Sequence, residues 1–123
     1  MATIAVLGTL DTKGEEHGYV AELIRSRGHE ALLIDAGTLE PPTIQPYVTR
    51  EELASAAGID FASLTKRQDR GESVKAMTDG VAVTLPKLAA ENKIHGIISL
   101  GGGGGTAIGT AAMRALPVGF PKL

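Results

Sequence analysis

The sequence predicts an α/β fold, namely a three-layer, Rossmann-like parallel sheet with flanking helices. Short apolar runs rich in branched side chains alternate with helical periodicities along the 123 residues, and this alternation is typical of right-handed βαβ units. Two glycine-containing loops, 8–14 and 101–105, each follow a predicted strand. Because parallel strands end at the same sheet edge, where such folds bind ligands, both loops are expected there.

The first βαβ unit spans the N-terminal third of the chain. Residues 3–8 and 30–35 predict strands, since each is a short apolar run that suits a sheet covered on both faces. Between them, residues 15–27 have the apolar spacing of a helix, and Gly28 follows as its C-terminal cap.

The middle of the chain predicts loops around one short helix. Three prolines make residues 36–47 a loop. Thr49 and Glu52 have the spacing of a capping box, which predicts a helix that ends near Gly58. Residues 60–69 show no clear period and are expected to be irregular.

The C-terminal third predicts two more strands and two helices. Residues 72–93 are helical by period, and Pro86 is expected to kink or split that helix. Residues 94–100 predict the third strand, and residues 106–116 predict a helix after it. Residues 117–121, flanked by prolines, predict a fourth strand.

Composition indicates one ordered domain over residues 1–123. Hydrophobic residues make up 43% of the chain and charged residues 21%, as in ordinary globular proteins. A net charge of −2 without a basic stripe argues against nucleic acid as a partner. No apolar run has transmembrane length and no secretory signal is evident, so we expect no membrane partner and a cytoplasmic location. The absence of cysteine excludes disulfides and thiolate metal sites.

The first loop combines hydroxyls, a carboxylate and a cation ahead of Gly14. Lys13 is expected to neutralise a phosphate, Thr9 and Thr12 to donate hydrogen bonds to it, and Asp11 to hold a divalent ion such as Mg²⁺ or to orient a water. The residue order differs from that of a P-loop. Alternatively, Thr12 caps the following helix and Asp11 complements the positive end of its dipole. The two interpretations are compatible.

The run of five glycines, 101–105, is the most informative pattern in the chain. Each glycine inside an element costs about 0.5–1 kcal/mol relative to alanine, so an ordered run needs a reason. Between a strand and a helix, free N–H groups converge on an anion. The alternative is a tight turn with close packing, for which one or two glycines are enough. The predicted phosphate-binding residues are Gly102, Gly103, Gly104, Gly105 and Thr106.

Asp35 ends the second predicted strand, where a dinucleotide-binding fold places the carboxylate that binds ribose. No G-x-G-x-x-G motif follows the first strand, however. The alternative role for Asp35 is to cap the loop at Ala36 and Gly37.

The remaining polar residues identify no catalytic group. The three histidines lack metal-ligand spacing and are expected at the surface or at helix ends: His17, His29 and His95. A charge cluster before the long helix is interpreted as either a solvated cap or a phosphate clamp, and it consists of Arg67, Asp69 and Arg70. Catalytic residues therefore stay unassigned, and no metal ligand is assigned.

Four segments carry a further signal when they are taken together. They are residues 8–16, 69–72 with Met77 and Gly80, 97–106 and 113–122. In combination they resemble the ATP-binding domain of the plant tobamovirus-resistance protein and its bacterial and fungal relatives. This resemblance implies ATP as ligand and a chain that is only the N-terminal subdomain, truncated at its C-terminus, of a much longer domain. The antiviral role of the plant protein is not carried over.

Three functions follow as hypotheses. The first is a domain that binds the phosphates of a nucleotide, ATP, or of another anionic small molecule. The second is an enzyme that acts on a phosphorylated or carboxylated metabolite held by the same loops. The third is an interaction or assembly module whose glycines serve packing alone. An apolar fourth strand and a missing C-terminal part of the same protein would expose surface, so a homo-oligomer is also expected.

Overall fold

A computed structural model describes all residues from 1 to 123 and confirms the α/β architecture. Three parallel strands form the sheet in the order β2–β1–β3, and they are β1 (Thr3–Gly8), β2 (Glu30–Asp35) and β3 (Gly96–Ser99). The five helices are α1 (Gly14–Ser26), α2 (Arg50–Ala56), α3 (Phe61–Arg67), α4 (Arg70–Ala90) and α5 (Gly103–Ala115). β2 lies on one side of β1 and β3 lies on the other, so the strand order reverses at β1, which is the switch point of the sheet.

Apolar side chains cover both faces of the sheet, because successive strand residues point to opposite sides. On β1, Val6 belongs to a small core cluster that includes Ala21 of α1. Leu7 points the other way into the main cluster, together with Met77 of α4 and Ile108 of α5. The sheet is thus the middle of three layers, as predicted.

The local signals for helix ends are confirmed. Thr49 and Glu52 form both hydrogen bonds of a capping box at the start of α2. Gly28 and Gly58 follow α1 and α2 with φ of 84° and 77°, a left-handed conformation that glycine adopts at little cost.

Within residues 60–69, which were predicted to be irregular, residues 61–67 form a helix. The Asp60 carboxylate accepts a hydrogen bond from the Ser63 N–H at 3.1 Å and caps α3. α3 has only seven residues, too few for a clear period, and its burial of Leu64 in the core stabilises it.

Helix α4 runs through Pro86 as one element of 21 residues, so the predicted split is wrong. Leu85 and Leu88, on either side of the proline, both pack in the main core cluster. This burial holds the two halves in one helix despite the missing N–H of Pro86. No helix of the chain combines the length and the apolar character that a bilayer crossing requires.

The end of the chain differs from the sequence prediction. β3 is shorter than expected, and residues 117–121 form no strand. Instead, residues 121–123 run parallel to β3, with the Ile97 N–H donating to the Pro121 carbonyl at 2.9 Å and the Leu123 N–H donating to the Ile97 carbonyl at 2.9 Å. The segment from Pro117 to Phe120 thus makes no pairing with β3, and the pairing begins at the carbonyl of Pro121.

Candidate functional site

The two glycine-containing loops meet at one cleft of about 640 Å³ at the carboxyl edge of the sheet. The loop after β2 and the corner between α3 and α4 complete its walls. The predicted site residues that line it are Thr9, Asp11, Thr12, Lys13, Gly102, Gly103, Gly104 and Gly105. The expectation that both loops share one edge is therefore confirmed.

The first turn of α5 presents free amides to this cleft. The helix begins at Gly103 rather than at the predicted Thr106, so glycines form its first turn. The first backbone donor within this turn is Thr106, whose N–H bonds to the Gly102 carbonyl at 2.8 Å. The N–H groups of Gly103, Gly104 and Gly105 donate to no group of the chain. Such amides are the donors that bind anions at helix N-termini.

Packing accounts for only the first of the five glycines. A β-carbon on Gly101 would lie 3.0 Å from the backbone of Gly105, which is too close. A β-carbon on Gly102 would meet nothing within 4 Å, and one on Gly103 or Gly104 would meet ordinary contacts at 3.8 and 3.4 Å. None of these glycines has a positive φ. Gly102 is the N-cap residue, a position at which glycine is common. For positions 103–105 the fold gives no steric reason for the absence of side chains.

The first loop places its polar groups beside this turn. Lys13 is the N-cap residue of α1, and that helix has no side-chain cap, so the alternative role of Thr12 as a cap is wrong. The hydroxyls of Thr9 and Thr12 instead lie 2.8 Å apart in a hydrogen bond. Lys13 is half-exposed, with only Glu16 nearby at 3.7 Å. Such an exposed ion pair is weak, so the ammonium group is available to a ligand.

The Asp11 carboxylate connects the first loop to the loop after β2, which forms another wall of the cleft. It accepts hydrogen bonds from the N–H groups of Thr12 at 2.9 Å, Leu39 at 2.9 Å and Glu40 at 3.1 Å. No group of three acidic or histidine side chains is placed to hold a metal ion. Both Asp11 oxygens thus accept hydrogen bonds from backbone amides, and the expected role of Asp11 in holding Mg²⁺ or orienting a water stays a prediction.

Three predicted residues lie outside the cleft lining. Gly14 lets the loop after β2 approach α1, because a β-carbon there would overlap the Thr43 hydroxyl. Thr106 donates its hydroxyl to the Gly101 carbonyl at 3.2 Å and so stabilises the turn.

Asp35, the third of them, is fully buried. Its Oδ1 accepts hydrogen bonds from the Gly37 N–H at 2.8 Å and the Leu10 N–H at 3.2 Å. Its Oδ2 has no partner, and burial raises the pKa of this carboxyl above 3.8. The alternative role as a loop cap is confirmed, and a ribose contact is not available to this side chain.

His17, expected at the surface or at a helix end, lies in the first turn of α1 and is fully buried. Its Nδ1 donates to the Lys13 carbonyl at 2.7 Å, and its Nε2 lies 3.1 Å from the Leu7 carbonyl. The Leu100 N–H points to the same Nε2 at 3.4 Å. One ring therefore connects both loops of the cleft. Its spacing of four residues from buried Ala21 on α1 is the signal that would have placed it inside.

The corner between α3 and α4 adds a wall that sequence reasoning did not assign. Its lining residues are Thr65, Gln68, Asp69, Arg70, Ser73 and Val74. In the predicted charge cluster, Asp69 caps α4 by accepting the Glu72 N–H at 3.0 Å, and Arg67 pairs with the Glu72 side chain. Of the two arginines of that cluster, Arg70 is the one without a charged partner.

Residues 2–123 match the family described as "Uncharacterised protein family (UPF0261) N-terminal domain". The chain is 43% identical to a UPF0261 protein of Clostridium tetani, covering 98% of this chain and 30% of that protein. It is 40% identical to a UPF0261 protein of Rhizobium meliloti, covering 100% of this chain and 30% of the relative. A plant protein from Solanum lycopersicum, the ToMV susceptible protein tm-1(GCR26), is 29% identical over 95% of this chain and 18% of its own length. The chain thus spans less than a third of these relatives.

Proposed function

The chain belongs to the UPF0261 family as its N-terminal domain, and from that premise we propose that its cleft binds the phosphates of a nucleotide. ATP is the favoured ligand because of the resemblance described above. The cleft volume of about 640 Å³ lies in the range of small-molecule sites. In this proposal, the amides of the first turn of α5 bind phosphate oxygens, and Lys13 neutralises their charge.

One observation carries this proposal: positions 103–105 lack side chains where the fold has room for them. Glycine in a helix is less favourable than alanine by about 0.8–1 kcal/mol, so Gly103, Gly104 and Gly105 weaken α5 without a packing gain. An absent β-carbon does, however, let an anion reach the free N–H groups closely. Ligand access therefore accounts for the glycines that packing leaves unexplained.

The charges around the cleft support an anionic ligand. Two cations, Lys13 and Arg70, line it beside the carboxylates of Asp11, Glu40 and Asp69. Arg70 has no charged partner, and Lys13 has only the exposed, weak pair with Glu16 at 3.7 Å, so both cations are available to an anion. Asp11 and Asp69, which also line it, each accept hydrogen bonds from backbone amides. Mg²⁺ usually binds through one or two carboxylates plus substrate phosphates, so the proposal includes this ion as a companion of the nucleotide phosphates.

The test separates ligand access from packing through Gly103→Ala. Isothermal titration calorimetry of the 123-residue chain with ATP should give at least a fivefold weaker affinity for the variant. Urea denaturation should show equal or higher stability, because alanine favours the helix. The control is Gly18→Ala in α1, where a β-carbon meets Ile44 at an ordinary 3.4 Å and where ATP affinity should not change. A destabilised Gly103→Ala variant with unchanged affinity would instead support the packing hypothesis.

The enzyme hypothesis stays a prediction, since no side chain in the cleft is identified as a nucleophile. Incubating the longer family protein with ATP and measuring released phosphate distinguishes it from a binding domain. A binding domain shows no release above the background of a Gly103→Ala control.

A further inference from the structure

The Arg70 guanidinium lies against the N-terminal end of α5 without an acidic partner. A β-carbon on Gly103 would come within 3.8 Å of its Nη2. The other arginine of this corner, Arg67, is paired with Glu72, and no ion pair of the chain includes Arg70. A cation beside a helix N-terminus is unfavourable, since both carry positive charge. An anion between the Arg70 guanidinium and the N-terminus of α5 would be attracted to both and would make their proximity favourable.

Ser73 provides a second, independent observation on the same wall. It follows Arg70 by three residues on α4, so both side chains lie on one helix face. Ser73 is only 7% exposed and lines the same cleft. Its hydroxyl makes no hydrogen bond within the chain and is not among the solvent-excluded polar atoms, so this otherwise buried side chain opens its Oγ to the cleft. A ligand oxygen in the cleft would supply a hydrogen-bond partner.

These groups are separate from those of the first loop. Lys13 reaches the cleft from the turn between β1 and α1, whereas Arg70 and Ser73 reach it from α4. The free amides of Gly103 and Gly104 belong to α5, the third element. The cleft of about 640 Å³ is far larger than one phosphate group. Donors from several walls of such a cleft suit an anion that extends from one wall to another.

We infer that Arg70 and Ser73 form a second anion subsite, so that the ligand carries at least two linked phosphates. This inference rests on the proposed function and specifies its ligand class, a nucleoside di- or triphosphate rather than a monophosphate. Arg70 forms charge-assisted hydrogen bonds to the outer phosphate, for which its planar guanidinium is suited. Ser73 donates its hydroxyl to the same group, which lies between Arg70 and the α5 amides, while Lys13 holds the inner one.

The experiment titrates the isotope-labelled 123-residue chain with ATP, pyrophosphate and orthophosphate while the amide resonances of Gly103, Gly104 and Gly105 are followed by NMR. Arg70→Ala should weaken ATP and pyrophosphate at least tenfold and orthophosphate less than twofold. Ser73→Ala should weaken the first two about threefold. Arg67→Ala is the matched control, because it removes an arginine from the same corner outside the cleft lining, and it should change no affinity more than twofold. Circular dichroism checks that each variant is folded.

The outcomes separate this inference from the proposed function. If ATP binds wild type and Arg70→Ala equally well, the subsite is overturned and the nucleotide proposal stands. If pyrophosphate binds in an Arg70-dependent manner but ATP does not bind, the nucleotide proposal fails and the subsite stands. Equal losses for pyrophosphate and orthophosphate would overturn the requirement for two linked phosphates. If neither ATP nor pyrophosphate binds wild type, both proposals are wrong.

Discussion

The imidazole of His17 fills the space that any side chain at position 8 would need. A β-carbon on Gly8 would overlap the ring at three of its atoms. Gly8 ends β1, and the ring beside it connects the loop after β1 with the loop after β3. The absence of a side chain at one position thus allows the hydrogen-bonded ring that joins both walls of the cleft.

We expect Gly8→Ala to destabilise the chain by about 1–3 kcal/mol, the usual cost of overpacking a filled interior. The ring of His17 would have to leave its place between the loops. Urea denaturation measures the change, with Gly18→Ala as the control that should be neutral or slightly stabilising. Equal stability of Gly8→Ala and wild type would show that the His17 ring can move to another position without a free-energy cost, which would contradict this prediction.

Replacing the ring with an apolar side chain should also weaken the fold. His17→Leu keeps much of the volume but removes the side-chain hydrogen bond to the Lys13 carbonyl, which still accepts the backbone N–H of residue 17. The expected cost is about 0.5–1.5 kcal/mol. Hydrogen exchange at the Leu100 amide should become faster, because its contact with Nε2 is lost. The control is His29→Gln, since His29 is exposed and bonds only to the Ala2 N–H at 3.0 Å. If Leu100 keeps its protection, the ring does not couple the loops.

Stability should depend on pH through Asp35. Burial raises the pKa of this carboxyl above 3.8, against the opposing hydrogen bonds from Gly37 and Leu10. The folded chain therefore keeps the proton at pH values where the unfolded chain has lost it, and the free energy of unfolding falls as pH rises from 3.8 through the raised pKa. Asp35→Asn cannot ionise, so it should become progressively more stable relative to wild type over that window. Urea denaturation across the pH range measures this difference.

Asp60 provides the control of opposite sign. The hydroxyl and the N–H of Ser63 donate to its carboxylate and lower its pKa below 3.8. Its contribution to stability is therefore present above pH 3.8 and is lost as pH falls through the lowered pKa. Asp60→Asn should be less stable than wild type at neutral pH. A similar pH profile for both variants would contradict the burial argument for Asp35.

The role of Asp11 is testable by metal removal. Asp11→Ala should lower the thermal midpoint of unfolding, because the amides of Leu39 and Glu40 lose their acceptor. The decrease should be the same with EDTA and with excess Mg²⁺, since the partners are backbone groups. A decrease that appears only with Mg²⁺ would identify Asp11 as a metal ligand instead.

Lys13→Ala should weaken ATP binding about tenfold, since a charge-assisted contact is worth about 1.5–3 kcal/mol. The remaining affinity should depend less on salt concentration, because one fewer charge is neutralised on binding. Calorimetry at two ionic strengths measures both effects. Lys75→Ala on α4 is the control, because Lys75 pairs with Asp79 at 3.2 Å outside the cleft lining. Equal effects of the two substitutions would exclude Lys13 from the site.

Features that depend on neighbouring residues could be predicted from the sequence, and features that depend on the topology could not. The ends of β1 and β2 and the capping box of Thr49 were predicted because each signal lies within a few residues. The start of α5 at Gly103 was missed because glycines indicate a loop by propensity, whereas the helix recruits them as its first turn. Arg70 was left undecided because its position beside α5 follows from the crossing of two helices that are distant in sequence.

His17 shows the same limit for the interior of the site. All three of its partners are backbone groups, and two of them, of Leu7 and Leu100, lie 10 and 83 positions away. Nearly every residue has the same backbone groups, so no residue pattern predicts such a contact. The eight cleft residues of the two loops were found because both loops end parallel strands, which is a topological rule rather than a side-chain pattern.

The glycine start of α5 also determines where this molecule loosens first. A turn without side chains has little tendency of its own to stay wound, so the opening of this turn costs less free energy than that of any packed helix end. The first turn of α5, which would bind the anion, is then the part of the chain that anion binding orders most. Anion binding would therefore stabilise this edge of the sheet. The melting temperature of the chain would then rise with the fraction of molecules that hold the anion.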